Sequence, residues 1–181
     1  LGYRVVEVRD APTLEGIRAN VRRVAAALGT PERGEALIAA FDRRLAALPA
    51  LRGAERPLAA LYEANGYSSA GGSMPNALIA RTGLRNLAAE LGFRGPAKLP
   101  LETLLYAKPD LLVMAQSGDN PSLAAEALRH PALRKAFAER PVVRIPDRLW
   151  SCGTPLVTGA LEKLTAAAQS LPPGNTGAEP R

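Results

Sequence analysis

The chain predicts an α/β fold, and three observations carry that expectation. Leu58-Ala59-Ala60-Leu61-Tyr62 and Asp110-Leu111-Leu112-Val113-Met114 are short apolar runs, the signature of strands buried on both faces of a parallel sheet, and Pro141-Val142-Val143-Arg144-Ile145 reads as a third strand. Segments with helical spacing and cap residues alternate with these runs, as in βαβ units. Before them, residues 12 to 48 read as almost uninterrupted helix.

Tyr3 to Val8 is β-branched and reads as a short strand ended by Asp10-Ala11-Pro12. Leu14, Ile17, Val21, Val24 and Leu28 recur at helical spacing and make one apolar stripe. Gly29 suits the position after a helix, Thr30 an N-cap and Pro31 a first helical turn. A second helix follows with Leu37, Ile38, Phe41, Leu45 and Leu48 as its apolar face. After the strand at Leu58 comes a Gly/Ser loop from Asn65 to Ser73, a helix from Asn76 to Thr82 stopped by Gly83, and a short helix from Asn86 to Leu91 closed by Gly92. Leu101 to Ala107 is a helix leading into the second buried strand. Asn120-Pro121 caps a helix reaching His130, Pro131 starts another, and Thr154-Pro155 caps the last, which runs to Ser170. The remaining tail is polar and rich in Pro and Gly, a composition that favours disorder.

Composition narrows the function. The 181 residues, 47% hydrophobic and 22% charged, suit one globular domain with or without an appendage. No apolar run approaches the roughly 20 residues that span a bilayer. One Cys and one His leave no Cys/His zinc cluster and no internal disulfide. The net charge of +6 raises nucleic-acid binding, but residues 1–48 hold 8 basic and 6 acidic side chains and the rest 15 and 11, so the excess is spread. No basic block interleaved with aromatics exists. The first residues lack the basic and apolar regions of a signal peptide, and there is no initial Met, so the chain reads as beginning inside a longer protein.

Ligands of doubly covered parallel sheets bind at the strands' carboxyl ends, which directs attention to loops 63–75, 115–121 and 146–154. In the first, Gly66-x4-Gly71-Gly72-Ser73 nearly spells a phosphate-binding loop, but Gly72 stands where Lys is required. The loop then either holds a polar small molecule through Tyr67, Ser68, Ser69 and Gly71, or is a glycine-rich turn with Ser73 as N-cap. In the third, Trp150 is either an apolar ligand wall or folded back onto the sheet. Cys152 is either a thiolate activated by a helix N-terminus or an inert buried thiol. His130 suits C-terminal helix capping better than catalysis. Glu102, in the first turn of its helix, complements the helix dipole. No catalytic motif is present, and the expectation is that the protein is not an enzyme.

Several blocks together carry a resemblance. Leu99-Pro-Leu-Glu102-Thr-Leu-Leu-Tyr-Ala-Lys-Pro109-Asp110-Leu-Leu-Val, the segment Tyr62 to Ala88 with Gly71-Gly72, Gly83 and Asn86-Leu87-Ala88, and Trp150-Ser-Cys-Gly-Thr-Pro155 resemble periplasmic substrate-binding proteins of ABC importers, the class for vitamin B12, ferric siderophores and haem. The resemblance implies a helical spine at 11–50 preceded by a remnant of an N-terminal lobe at 1–10, a Rossmann-like C-terminal lobe at 55–171 with a small, mainly parallel sheet flanked by helices, and a disordered tail at 172–181. It implies periplasmic localisation, with the signal peptide and most of the N-terminal lobe outside this chain. It also implies capture of an iron complex (ferric siderophore or haem) or a corrinoid such as cobalamin, no covalent cofactor, and delivery to a permease. Glu102 matches the family's permease-docking carboxylate, with Pro100 where the family usually has Ser. Tyr67, Ser68, Ser69, Gly71, Trp150 and Cys152 match ligand-facing positions, and Tyr67 has the chemistry to ligate haem iron. Two competing readings stand beside this one: a nucleotide- or phosphate-ester-binding α/β enzyme domain using the Gly-rich loop 65–73, and self-association through surfaces that an N-terminal lobe would otherwise cover.

Overall fold

The computed structural model describes residues 5–51, 56–116 and 130–172. Helix α1 spans Leu14–Ala27 and α2 spans Pro31–Ala46. Thr13 caps α1 by accepting the Gly16 N–H at 3.0 Å. At the other end Gly29 takes φ +68, the Thr30 N–H donates to the Ala25 carbonyl at 2.8 Å and the Gly29 N–H to Ala26 at 3.1 Å. This pair of bonds closes a helix while turning the chain away from its axis. Pro31 then starts α2, so the expected break is a full reversal.

The two helices lie antiparallel. Arg18 meets Asp42 at 2.6 Å, Arg22 meets Glu35 at 2.7 Å, and a Cβ on Gly34 would overlap the Ala25 methyl. The two helices therefore form a helical hairpin. Its apolar faces, with Ile17, Phe41 and Leu45 buried, join the core of the sheet domain.

That sheet has four parallel strands. Strands β1 (Leu58–Tyr62), β3 (Arg85–Asn86), β5 (Leu111–Gln116) and β6 (Val142–Pro146) lie in the order β3-β1-β5-β6, all parallel. Side chains alternate between two cores, as the two-residue period of a strand requires. Ala59, Leu61, Leu111 and Val113 face the core shared with the hairpin, α3 (Met74–Arg81) and the final helix, Val157–Gln169. Ala60, Tyr62, Leu112 and Met114 face Leu87, Leu104 and Leu133, from α4 (Leu87–Glu90), α5 (Leu101–Ala107) and α6 (Pro131–Ala136). The final helix is α7. The chain leaves β1 toward β3, then crosses back to β5 on the other side, so the strand order reverses at β1. Such a reversal opens a crevice at the carboxyl ends.

Several expectations are corrected. Residues 5–12 are not strand; Val5, Val6 and Val8 are exposed, and no described strand lies beside them to pair their backbone. The short helix expected from Asn86 to Leu91 is present as Leu87–Glu90, capped by Asn86 and Leu91, but Arg85–Asn86 also pairs with Leu58 and Ala59 just before it, which was not expected. A small antiparallel pair, β2 (Tyr67–Ser68) with β4 (Ala97–Lys98), was not anticipated. His130 serves at a helix start, accepting the Ala132 N–H through Nδ1 at 3.2 Å. The helix expected at 120–130 and the tail from 173 onward lie outside the described residues, as do Tyr3 and Arg4.

Candidate functional site

An open cavity of about 340 Å³ sits at the carboxyl ends of β1, β5 and β6. Its wall includes Glu63 directly after β1, Tyr67 and Ser69 from the following loop, Ala115 near the end of β5, and Asp147 and Ser151 after β6. Ala64 and Pro96 complete it. This is the crevice that the reversed strand order creates.

The loop after β1 is shaped by its backbone. Asn65 and Gly66 take φ +58 and +72, and the turn closes with the Glu63 N–H donating to the Tyr67 carbonyl at 2.8 Å. A Cβ on Gly66 would crowd the Tyr62 hydroxyl and would be strained at that φ. The strand pair β2–β4 then fixes Tyr67 beside Lys98 and Ser68 beside Ala97. Because side chains alternate, Tyr67 and Ser69 reach the cavity while Ser68 is fully buried, and its hydroxyl has no partner among the described residues. Asn86 anchors the loop from beneath: its amide donates to the Ser69 carbonyl at 2.8 Å and to Asn76 at 2.9 Å.

Glu63 is the electrostatic centre of the wall. The Ser69 hydroxyl donates to its Oε2 at 3.2 Å. Burial raises its carboxyl above the ordinary range; the Ser69 hydrogen bond opposes this, and the nearby charge of Asp147 adds to the rise. Below it in the sheet, burial raises the Tyr62 phenol, with a smaller contribution from Glu102.

The expected site residues thus separate. Tyr67, 40% exposed, and Ser69 meet on the cavity. Trp150 is not a ligand wall: it is 2% exposed and belongs to the core with Ile145, Val157 and Leu161. The 3-10 turn Asp147–Leu149 folds the chain back over the sheet, and burying so large a ring outweighs leaving it in the crevice. Cys152 is exposed rather than buried and is not part of the cavity wall, and neither is Gly71. Ser73 caps α3, accepting the Asn76 N–H at 3.3 Å, while Gly72 supplies φ +79. Glu102 is exposed in the first turn of α5, away from the cavity wall. Glu63 and Asp147 are the functional candidates that residue-type reading passed over. Each directly follows the carboxyl end of a parallel strand, β1 or β6, and that position is the signal that marks them.

Among the described residues no group of three or more His, Cys, Asp or Glu is placed to hold a metal ion, and no helix is long and apolar enough to cross a membrane.

Comparison with known proteins gives one picture. A periplasmic haem-binding protein, RhuT from Roseiflexus sp. RS-1 in apo form, superposes with TM-score 0.69 at 26% identity, covering 88% of this chain and 66% of that one. A periplasmic haem-binding protein from Pseudomonas aeruginosa gives TM-score 0.69 at 24% identity, over 97% of this chain and 67% of the other. An ABC-type Fe3+-hydroxamate transport protein from Saccharomonospora viridis DSM 43017 gives TM-score 0.67 at 21% identity, over 88% and 57%. The chain therefore spans between 57% and 67% of the length of these three structures. No curated protein matches by sequence. Residues 1–149 match the family described as periplasmic binding protein. Its members, like these neighbours, are solute-binding proteins of transport systems, not enzymes. With most of its length in that match, and an α/β sheet domain that the same structures share, this chain belongs to the periplasmic binding protein family.

Proposed function

We propose that this chain is the spine and C-terminal lobe of a periplasmic solute-binding component of an ABC importer, capturing an iron complex or a corrinoid and delivering it to the permease. The observation that supports this most is the cavity at the carboxyl ends of β1, β5 and β6 in a chain of this family. Tyr67 and Ser69 are the contacts expected toward the ligand, and the Tyr67 phenol has the chemistry to ligate haem iron. Glu102, exposed on α5 and outside the cavity, is the residue proposed to meet an arginine of the permease.

A phosphate-ester ligand fits less well. The described wall of the cavity carries two carboxylates, Glu63 and Asp147, and no cation, whereas an anion needs donors or positive charge. The Gly-rich loop also spends its one hydroxyl at the helix start, Ser73, on capping α3.

The test is titration of the full-length protein with haem, cobalamin and a ferric trihydroxamate while following tryptophan fluorescence, to which this chain contributes Trp150. Saturable quenching by at least one is expected, because these chromophores accept energy from a buried indole without touching it. No response to any of them, with stabilisation by nucleotides instead, would overturn the reading. For docking, Glu102→Ala should lower ligand-dependent stimulation of transporter ATPase with affinity unchanged; lost affinity with normal stimulation would refute that role.

A further inference from the structure

Resting on the transport reading above, the geometry points to Glu63 as the residue that selects ligand charge: this lobe favours a metal complex presenting an ammonium or similar cationic group over one presenting carboxylates. Three observations on the same wall carry this. Glu63 emerges at the carboxyl end of β1, partly withdrawn from solvent, and lines the cavity. Among the described residues the Ser69 hydroxyl is the one hydrogen-bond partner of its carboxylate, at 3.2 Å and on a single oxygen. Its other oxygen therefore has acceptor capacity to offer a ligand. Tyr67 lines the same cavity and is 40% exposed, so the cavity offers an aromatic ring as well as the carboxylate, a combination suited to an ammonium.

The physical argument concerns what occupancy does to Glu63. Closing a ligand over the cavity removes water from a carboxylate that is already poorly solvated. An anionic substituent there adds repulsion from Glu63 to that loss. A cation restores by attraction what desolvation takes away, and in a partly buried setting that attraction is less screened than at the surface. Glu63 thus acts against wrong partners as much as for the right one.

The experiment compares two ferric trihydroxamates that differ in one charge, ferrioxamine B with its free ammonium arm and the same complex N-acetylated. Haem and cobalamin are run beside them on the full-length protein and on Glu63→Gln. Gln is isosteric and still accepts from Ser69, so the fold is expected to survive; circular dichroism checks it. The expected result is binding of the ammonium complex at least about tenfold tighter than its acetylated form, with the ratio falling toward one in Glu63→Gln. Equal affinities in the wild type, a ratio unchanged in the variant, or exclusive binding of haem or cobalamin would overturn the selection by charge and leave the transport reading standing. Binding of none of the four overturns both.

Discussion

Gly153 lies so close to Ala11 that a Cβ on it would collide with the Ala11 carbonyl oxygen and methyl group. The contact joins the loop after β6, which supplies Asp147 and Ser151 to the cavity, to the chain just before α1. Ala11 is itself only 2% exposed. The entry to the helical hairpin and one lip of the crevice therefore share a seam with no spare volume.

Gly153→Ala should accordingly destabilise the protein by about 1–3 kcal/mol, the usual cost of overfilling a packed site. The backbone at Gly153 is not left-handed, since its φ lies outside the positive range, so the cost is steric. Chemical denaturation compares the two proteins. A midpoint unchanged in the variant would show that residues 9–12 move aside freely.

Asp110 makes a second seam. Its Oδ2 accepts the Leu58 N–H at 2.7 Å, and its own N–H donates to the Leu58 carbonyl at 2.8 Å. The carboxylate thus satisfies the first donor of β1 on the side facing β5, one residue before the register between those two strands begins at Ala59. Asp110→Ala leaves that N–H without a partner at a partly buried position and should cost about 1–3 kcal/mol. Asp110→Asn, which keeps the acceptor, should recover much of it. Equal losses in both variants would refute the capping role.

The Asp110 pair also explains why so much of the sheet was readable. Three short apolar runs read as strands, and each is one: Leu58–Tyr62 and Leu111–Gln116 are buried in the middle of the sheet, whereas Val142–Pro146 is an edge strand with only Ile145 buried. The cavity was readable by consequence, because parallel strands put their ligand loops at one end. Individual side chains were less so. Trp150 and Ser151 are neighbours in a loop, yet one is in the core and the other on the cavity; only the fold-back of the 3-10 turn separates them. Ser68 and Ser69 part in the same way because two residues, Tyr67 and Ser68, enter a strand pair with Ala97 and Lys98, a long-range pairing that no local pattern announces. The hairpin turn at Gly29 was visible as a break, but its direction depends on apolar faces of α1 and α2 finding each other.

Thr165, buried in α7, offers a stabilising change. Its hydroxyl has no hydrogen-bond partner among the described residues although the side chain is 5% exposed. Val has nearly the same shape and no polar atom to desolvate, so Thr165→Val should raise stability by about 1 kcal/mol, within the range for an unsatisfied buried group. The corresponding shift in melting temperature is about 2–4 °C for a chain of this size. A lower melting temperature would mean that the hydroxyl holds a partner the substitution removes.

Glu63 makes stability depend on pH in a direction opposite to that of an ion-paired carboxylate. Burial, the first cause, and the Asp147 charge raise its folded pKa above the unfolded value, which for Glu is about 4.3. The native state then holds this proton more tightly than the unfolded state. Below the unfolded pKa both states are protonated and the group costs nothing. As pH rises from there through the raised folded pKa, the unfolded chain ionises first and stability falls, levelling once the folded carboxyl has ionised as well. Glu63→Gln removes the charge while keeping an acceptor for Ser69. The variant should melt higher than the wild type at pH 7.5, by about 2 °C, with the difference shrinking toward zero as pH is lowered to about 4. Thermal melts of both proteins across that range measure it directly. A difference that stays constant with pH, or grows on acidification, would show that Glu63 is not held at an electrostatic cost in the folded protein.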